Sequence, residues 1–254
     1  MNIVLLFSGG LDSTVLLYKL RAEGNHLACL TVDYGQRHAK EIAGARKIAG
    51  TNGCQHRILD LSGFGTLLKG SRSSLVNPTM EIPEGHYEAE SMKATVVPNR
   101  NMILLAAAAA WAISERFDAV AYAAHGGDHA IYPDCRPEFY KVIHEAFAVG
   151  NWDSEKVDLY LPYLEGDKLT ILRDAQESIA KLGLDFNTVF RNTSTSYDTD
   201  DQGRASGKTG SDVERILAFH ELGVPDPVPY AEPWEVVLQN ALDLEEKQLS
   251  KTTP

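Results

Sequence analysis

The stretch Ile3-Val4-Leu5-Leu6-Phe7-Ser8-Gly9-Gly10-Leu11-Asp12-Ser13, residues 3–13, decides the architecture. Five consecutive apolar residues read as a strand covered on both faces, the form strands take in parallel sheets. A Gly-Gly turn follows at once, and 13–23 carries a helical pattern. A strand, a glycine-rich turn and a helix together aim backbone N–H groups at one point, where the helix adds its positive end. Gly9 and Gly10 let an anion come close, and Ser8 and Ser13 offer hydroxyl donors. Asp12 is the odd member. A carboxylate is unfavourable among phosphates unless a cation lies between them, which points to Mg²⁺. A tight turn with an N-capping Asp or Ser accounts equally well for Gly-Gly alone. The whole hexapeptide Ser8 to Ser13 behind an apolar strand favours a nucleotide loop.

Working outward, short apolar runs alternate with helical patterns. The expected strands are 2–7, 26–33, 56–60, 118–124 and 157–162. The expected helices are 13–23, 37–50, 99–116, 137–149, 167–182 and 211–222, with a final helix over 233–249 whose Val236, Val237, Leu238, Leu242, Leu244 and Leu249 offer an apolar side. This pattern predicts an α/β fold: a doubly wound, mainly parallel sheet with a small helical C-terminal region. The expected division is 1–190 for the nucleotide domain and 191–254 for the C-terminal region. Ser62 to Thr95 reads as a long connection or lid, and Arg191 to Gly210 as a second irregular stretch.

The 254 residues carry a net charge of -11 and are 44% hydrophobic. That is ample chain for a substantial core. The acidity argues against a broad polyphosphate-binding face and so against direct nucleic-acid binding. Three cysteines, Cys29, Cys54 and Cys135, lack metal or disulfide spacing and suit a reducing, cytoplasmic setting. No signal peptide is expected, since no basic region precedes the first apolar run. The run Met102 to Ile113 is too short for a membrane span and reads as a buried helix, so no membrane is expected.

The hexapeptide resembles the PP-loop of the N-type ATP pyrophosphatases, the adenine nucleotide alpha hydrolase-like enzymes that cleave ATP between its α- and β-phosphates. The lysine of a G-x-x-x-x-G-K-[ST] loop is missing, which argues against an ordinary P-loop enzyme. Further stretches narrow the resemblance: Asp33-Tyr34-Gly35-Gln36-Arg37-His38, Val97-Pro98-Asn99-Arg100-Asn101-Met102, His125-Gly126-Gly127-Asp128 and Tyr132-Pro133-Asp134-Cys135-Arg136-Pro137-Glu138-Phe139. Each follows a strand or opens a helix, where open α/β sheets bind ligands. Together they resemble the QueC family of 7-cyano-7-deazaguanine synthases, over nearly the whole chain to Tyr230.

The resemblance implies a reaction that uses ATP, Mg²⁺, 7-carboxy-7-deazaguanine and ammonia. It implies ATP contacts at Phe7, Ser8, Gly9, Gly10, Leu11, Asp12, Ser13, Thr14, Val15, Leu16, Leu17, Asn99 and Arg100, with Mg²⁺ on Asp12. It implies substrate contacts at Gln36, Arg37, His38, Asp128, Tyr132, Asp134 and Arg136. A homodimer and a protein partner are assemblies it allows. Taken singly, each residue has a plainer reading. Arg37 and His38 suit a solvated helix start, Asn99 an N-cap, Pro133 and Pro137 a shaped loop, and Cys135 a small buried side chain.

One feature departs from the family. Its members carry a structural zinc on four cysteines in T-W-S-C-Y and C-G-x-C-x-x-C segments. Here those positions hold Ser196, Ser206, Thr209 and Asp212. Neutral hydroxyls are poor zinc ligands and one carboxylate does not make a structural site, so zinc is expected to be absent. The alternatives to nitrile synthesis are a relative that joins the deazaguanine to a protein amine in an antiviral system, and a noncatalytic nucleotide-binding scaffold. Thiolation of tRNA is disfavoured by the few cysteines and the acidity.

Overall fold

The computed structural model describes residues 1–36, 40–152, 156–196 and 198–252. Its centre is a five-stranded sheet of β1 (Asn2–Leu6), β2 (His26–Asp33), β3 (Gln55–Asp60), β4 (Ala119–Ala121) and β5 (Asp158–Tyr160). The spatial order is β3-β2-β1-β4-β5 and every pairing is parallel. The order reverses beside β1, so the crevice at the C-terminal ends of β1 and β4 is the expected ligand position.

The helices are α1 (Leu11–Ala22), α2 (Lys40–Thr51), α3 (Ser62–Leu67), α4 (Arg100–Glu115), α5 (Pro137–Gly150), α6 (Lys168–Lys181), α7 (Phe186–Arg191), α8 (Gly210–Leu222) and α9 (Trp234–Thr252). Of these, α3 and α7 escape sequence reading. Each has six residues, too short for a periodic apolar face to stand out.

β1 explains why the run Ile3 to Phe7 is apolar throughout. Ile3, Leu5 and Phe7 pack with α1, α6 and α8, while Val4 and Leu6 pack with α4 and α5. Successive side chains face opposite layers, and both layers are dry. Small residues on α4 serve the same end: Ala108, Ala109 and Ala112 are buried and let it lie close to the sheet. No described helix is long and apolar enough to cross a membrane. The neighbouring Cys29 thiol draws that of Cys54 down to about 7, and Cys54 Sγ donates to the Asn52 carbonyl at 3.8 Å. Cys135 is buried, with Asn101 Nδ2 3.4 Å from its sulfur.

Two contacts bind the C-terminal stretch to the rest. Ala218 and Phe219 of α8 belong to the same apolar cluster as β1. Arg215 is buried and pairs through Nε (2.6 Å) and Nη2 (2.9 Å) with Asp226, while its Nη1 reaches Thr193 and Thr195, each at 2.8 Å. Such a two-pronged pair orients the irregular stretch against the helix.

Candidate active site

The turn after β1 is shaped by close backbone packing. Gly9 has φ +80°, and a Cβ there would stand 2.8 Å from the Ala45 nitrogen of α2. Only glycine meets both conditions. The loop closes on itself through hydroxyls: Ser8 and Ser13 Oγ lie 3.1 Å apart, Gly10 N–H donates to Ser8 Oγ at 3.2 Å, and Thr14 N–H donates to the Gly10 carbonyl at 3.1 Å. A second stretch rests on the loop, where Ser194 N–H donates to the Gly9 carbonyl.

Asp12 lies in the first turn of α1. Its Oδ2 takes a 3.1 Å bond from Lys168 Nζ, which also lies 2.9 Å from Glu214 Oε2. One buried ammonium therefore ties together α1, α6 and α8. Burial works against charge on both partners, yet the pair prevails. Lys168, His125 and Arg215 hold the Asp12 carboxyl below its ordinary value, while Asp12, Glu214 and Asp128 push the Lys168 ammonium above its own. Asp12 Oδ1 has no hydrogen-bond partner among the described residues. A buried carboxylate oxygen left open is costly without a ligand and well suited to a cation.

A cavity of about 260 Å³ opens from this point. Its wall brings together Phe7, Ser8, Gly10, Leu11, Asp12 and Ser13 of the loop with Gln36, Arg100, Asp128 and Tyr132 from the other motifs. Arg100 lies over the Tyr132 ring at 5.9 Å, and the Tyr132 hydroxyl meets Thr95 Oγ1 at 2.5 Å. Gln36 braces its own turn by accepting from Tyr34 N–H at 2.9 Å.

Other expected site residues stand away from that wall. Val15, Leu16 and Leu17 are fully buried in the core. Gly9 faces α2, and Thr14 is buried with its hydroxyl unpaired among the described residues. Asn99 has a left-handed backbone (φ 55°), and its side chain caps nothing. Asp134 turns toward α4, where its Oδ2 accepts from Asn101 N–H at 3.3 Å. Exposed Arg136 donates to the His129 carbonyl at 2.9 Å. Arg37 and His38 lie outside the described residues.

Sequence reading missed four groups at the cavity. Lys168 and Glu214 lie far from Asp12 in the chain. His125 is buried, with Nε2 3.6 Å from Asp128 and 3.7 Å from Glu214. Glu41 lines the wall near Arg100, and burial raises its carboxyl to about 7 against the pull of that arginine. A signal existed for Lys168. It opens a helix behind Asp167, whose carboxylate caps Thr170 N–H at 2.7 Å, and such starts after strands border the crevice.

The four positions expected to have lost zinc do converge. Asp212 Oδ2 lies 3.0 Å from Ser196 Oγ, 3.3 Å from Ser206 Oγ and 3.3 Å from Thr209 N. Asp212 N–H in turn donates to Thr209 Oγ1 at 3.3 Å, completing a capping box for α8. Three hydroxyls and one carboxylate do not fit zinc, and no group of three metal-binding side chains occurs among the described residues.

The family model for Queuosine biosynthesis protein QueC matches residues 2–223. The chain is 45% identical over 229 residues to 7-cyano-7-deazaguanine synthase 1 of Colwellia psychrerythraea, covering 90% of this chain and 98% of that one. It is 44% identical to the 7-cyano-7-deazaguanine synthase of Psychromonas ingrahamii, covering 90% and 97%. Among solved structures, NMN synthetase of Francisella tularensis is similar at a TM-score of 0.41 and 15% identity, over 99% of this chain and 87% of that one.

Proposed function

This chain belongs to the QueC family of queuosine biosynthesis proteins, and from that premise we propose that it converts 7-carboxy-7-deazaguanine and ammonia to 7-cyano-7-deazaguanine. It is an ATP-dependent ligase-type enzyme. The observation that carries the reading is the shared cavity: the nucleotide loop at Ser8 to Ser13 and the motif residues Arg100, Asp128 and Tyr132 line one wall.

The chemistry explains why both sets are needed. A carboxylate oxygen attacks the α-phosphorus of ATP, the bond to the β-phosphate breaks, and pyrophosphate leaves. Ammonia adds to the acyl carbon, AMP departs with its C–O bond, and a proton is lost, leaving an amide. The amide oxygen then attacks the α-phosphorus of a second ATP, the bond to the β-phosphate breaks, and a second pyrophosphate leaves. Loss of AMP and of the remaining N–H protons leaves the nitrile. The α1 N-terminus and the Ser8 and Ser13 hydroxyls suit the pyrophosphate side. Asp128 suits the N1–H and 2-amino edge of the base, and Arg100 its anionic carboxylate. Glu41, with a proton affinity close to neutrality, suits the protons released from nitrogen.

Mg²⁺ belongs to the same reading. Asp12 Oδ1 is the open acceptor that would hold it, and the ion supplies charge neutralisation between that carboxylate and the phosphates. Zinc has no part in it. Residues 1–190 carry the nucleotide loop and 191–254 the Asp212 cluster and α9, with a cytoplasmic homodimer as the working form.

The test is a mass-spectrometric product assay with ATP, Mg²⁺ and 7-carboxy-7-deazaguanine, with and without ammonia. Nitrile with AMP and pyrophosphate, dependent on ammonia, is expected. Accumulation of adenylate or amide alone would move the acceptor elsewhere, and ATP binding without pyrophosphate release would leave a scaffold.

A further inference from the structure

The helix α9 lies beyond the family-matched residues 2–223. It nevertheless packs against α8 and the loop before it, which carry cavity-lining residues Thr209, Gly210, Ser211 and Glu214. Val237 and Ala241 of α9 pack on Val213 and Ile216 of α8, joined by partly buried Tyr230, Trp234, Leu238 and Leu244. At its near end α9 presses on the loop that carries the Asp212 cluster: a Cβ on Gly207 would stand 2.8 Å from Val237 Cγ1. At its far end it reaches the connection between α3 and α4. There Glu245 Oε2 lies 2.6 Å from Nε2 of His86, which is 5% exposed.

The direction of that contact follows from the neighbouring bond. Glu88 N–H donates to His86 Nδ1 at 3.2 Å, so in the neutral ring Nε2 carries the proton and donates to Glu245. The histidine stands beside the cavity lining. Its ring centroid is 4.3 Å from that of Tyr87, and Tyr87, Met92 and Thr95 all line the cavity. The same segment is pinned to the loop before α8, where Gly85 N–H donates to the Lys208 carbonyl at 2.9 Å. Gly210, the first residue of α8, leaves only 3.1 Å between a would-be Cβ and Tyr87 Cα. Lid, Asp212 loop and α9 therefore meet as three layers.

We infer that α9 is a brace that seats the lid at residues 84–95 over the cavity, with Glu245 and His86 as the positioning pair that latches it. The inference deepens the function proposed above and rests on it for its kinetic arm. Neither side chain lines the cavity, so the pair acts through Tyr87 and Met92. A loosened lid costs substrate binding before it costs chemistry, because the nucleotide loop and Asp12 stay in place.

The experiment uses the full chain as wild type, Glu245→Ala and Glu245→Gln. The first readout is amide hydrogen exchange without any substrate, which is independent of what the enzyme makes. Glu245→Ala is expected to speed exchange about tenfold or more across 84–95 and leave β1 and α1 unchanged. Glu245→Gln keeps an acceptor for His86 and is expected to restore protection. In turnover with 7-carboxy-7-deazaguanine, Glu245→Ala is expected to raise KM about tenfold with kcat within about twofold. Unchanged lid exchange in Glu245→Ala would overturn the latch, as would faster exchange spread evenly over the molecule. Wild-type protein that yields no nitrile would sink the proposed function while the exchange result still judged the brace.

Discussion

Asp12, half-buried, and Asp212, fully buried, each lie near the start of a helix, and they differ in what surrounds them. Asp12 meets the ammonium of Lys168 on one oxygen and nothing among the described residues on the other. Asp212 gathers two serine hydroxyls and a backbone N–H onto one oxygen. The outcome is opposite in sign. Burial resists charge on Asp12 but the nearby cations overcome it and hold its carboxyl low. Burial raises the Asp212 carboxyl, and hydrogen bonds from Thr209, Ser196 and Ser206 only partly offset it. A half-buried carboxylate with one enclosed, open oxygen and a cation beside it is set for a ligand. One whose neighbours are all small donors of its own chain is set for shape.

The contrast is broken most sharply at Asp12. Asp12→Asn is expected to lower substrate-dependent pyrophosphate release by about 10³-fold or more in a protein that still folds, its urea midpoint lowered only in part because Lys168 keeps Glu214. Equal turnover in that variant would remove Asp12 from the phosphate side. In the C-terminal region the expected losses are of folding. Arg215→Leu leaves Asp226 buried without its partner and is expected to cost about 3–5 kcal/mol, read from urea unfolding. Back in the turn after β1, Gly9→Ala forces a side chain into a left-handed backbone against α2, at a cost of about 1–3 kcal/mol.

Asp212 itself supplies the finer tests. Asp212→Ala strands the hydroxyls of Ser196 and Ser206 and should cost about 1–3 kcal/mol, while the neutral isostere Asp212→Asn should stay within about 1 kcal/mol of wild type at pH 7. The pH dependence fixes the sign. A carboxyl raised in the folded state binds its proton more tightly there than when unfolded. Its contribution is therefore largest below the ordinary carboxylate value and falls as pH rises through the raised one. Asp212→Asn should flatten that slope in unfolding free energy measured across the acid range. Asp12 contributes with the opposite slope, since its lowered carboxyl loses stability only as pH falls through the folded value.

Much of the architecture was readable because β1 is buried on both faces and the chain must spell that burial out, while α4 buries one face through Leu105, Ala108, Ala109 and Ala112 and leaves Met102, Ala106 and Ala110 exposed. The nucleotide loop was equally readable, since Ser8 to Ser13 are contiguous. What escaped was anything assembled across the chain. Lys168 meets Asp12 from 156 positions away, and Glu41 gains its character from the closed wall around it rather than from its neighbours in sequence. Motif membership also did not determine direction. Asp134 and Tyr132 share one stretch, yet Tyr132 lines the cavity while Asp134 serves the start of α4. That no cysteine stands at Ser196, Ser206, Thr209 and Asp212 was visible at once, but not that these four residues meet.

The central claim is that the nucleotide site works while the Asp212 cluster holds its loop without metal. The most direct measurement is nitrile formation by the purified enzyme after exhaustive treatment with a zinc-selective chelator, with Mg²⁺ restored before assay. The account predicts an undiminished rate from protein carrying far less than one zinc per chain. Loss of activity on chelation, recovered by adding zinc alone, would contradict it.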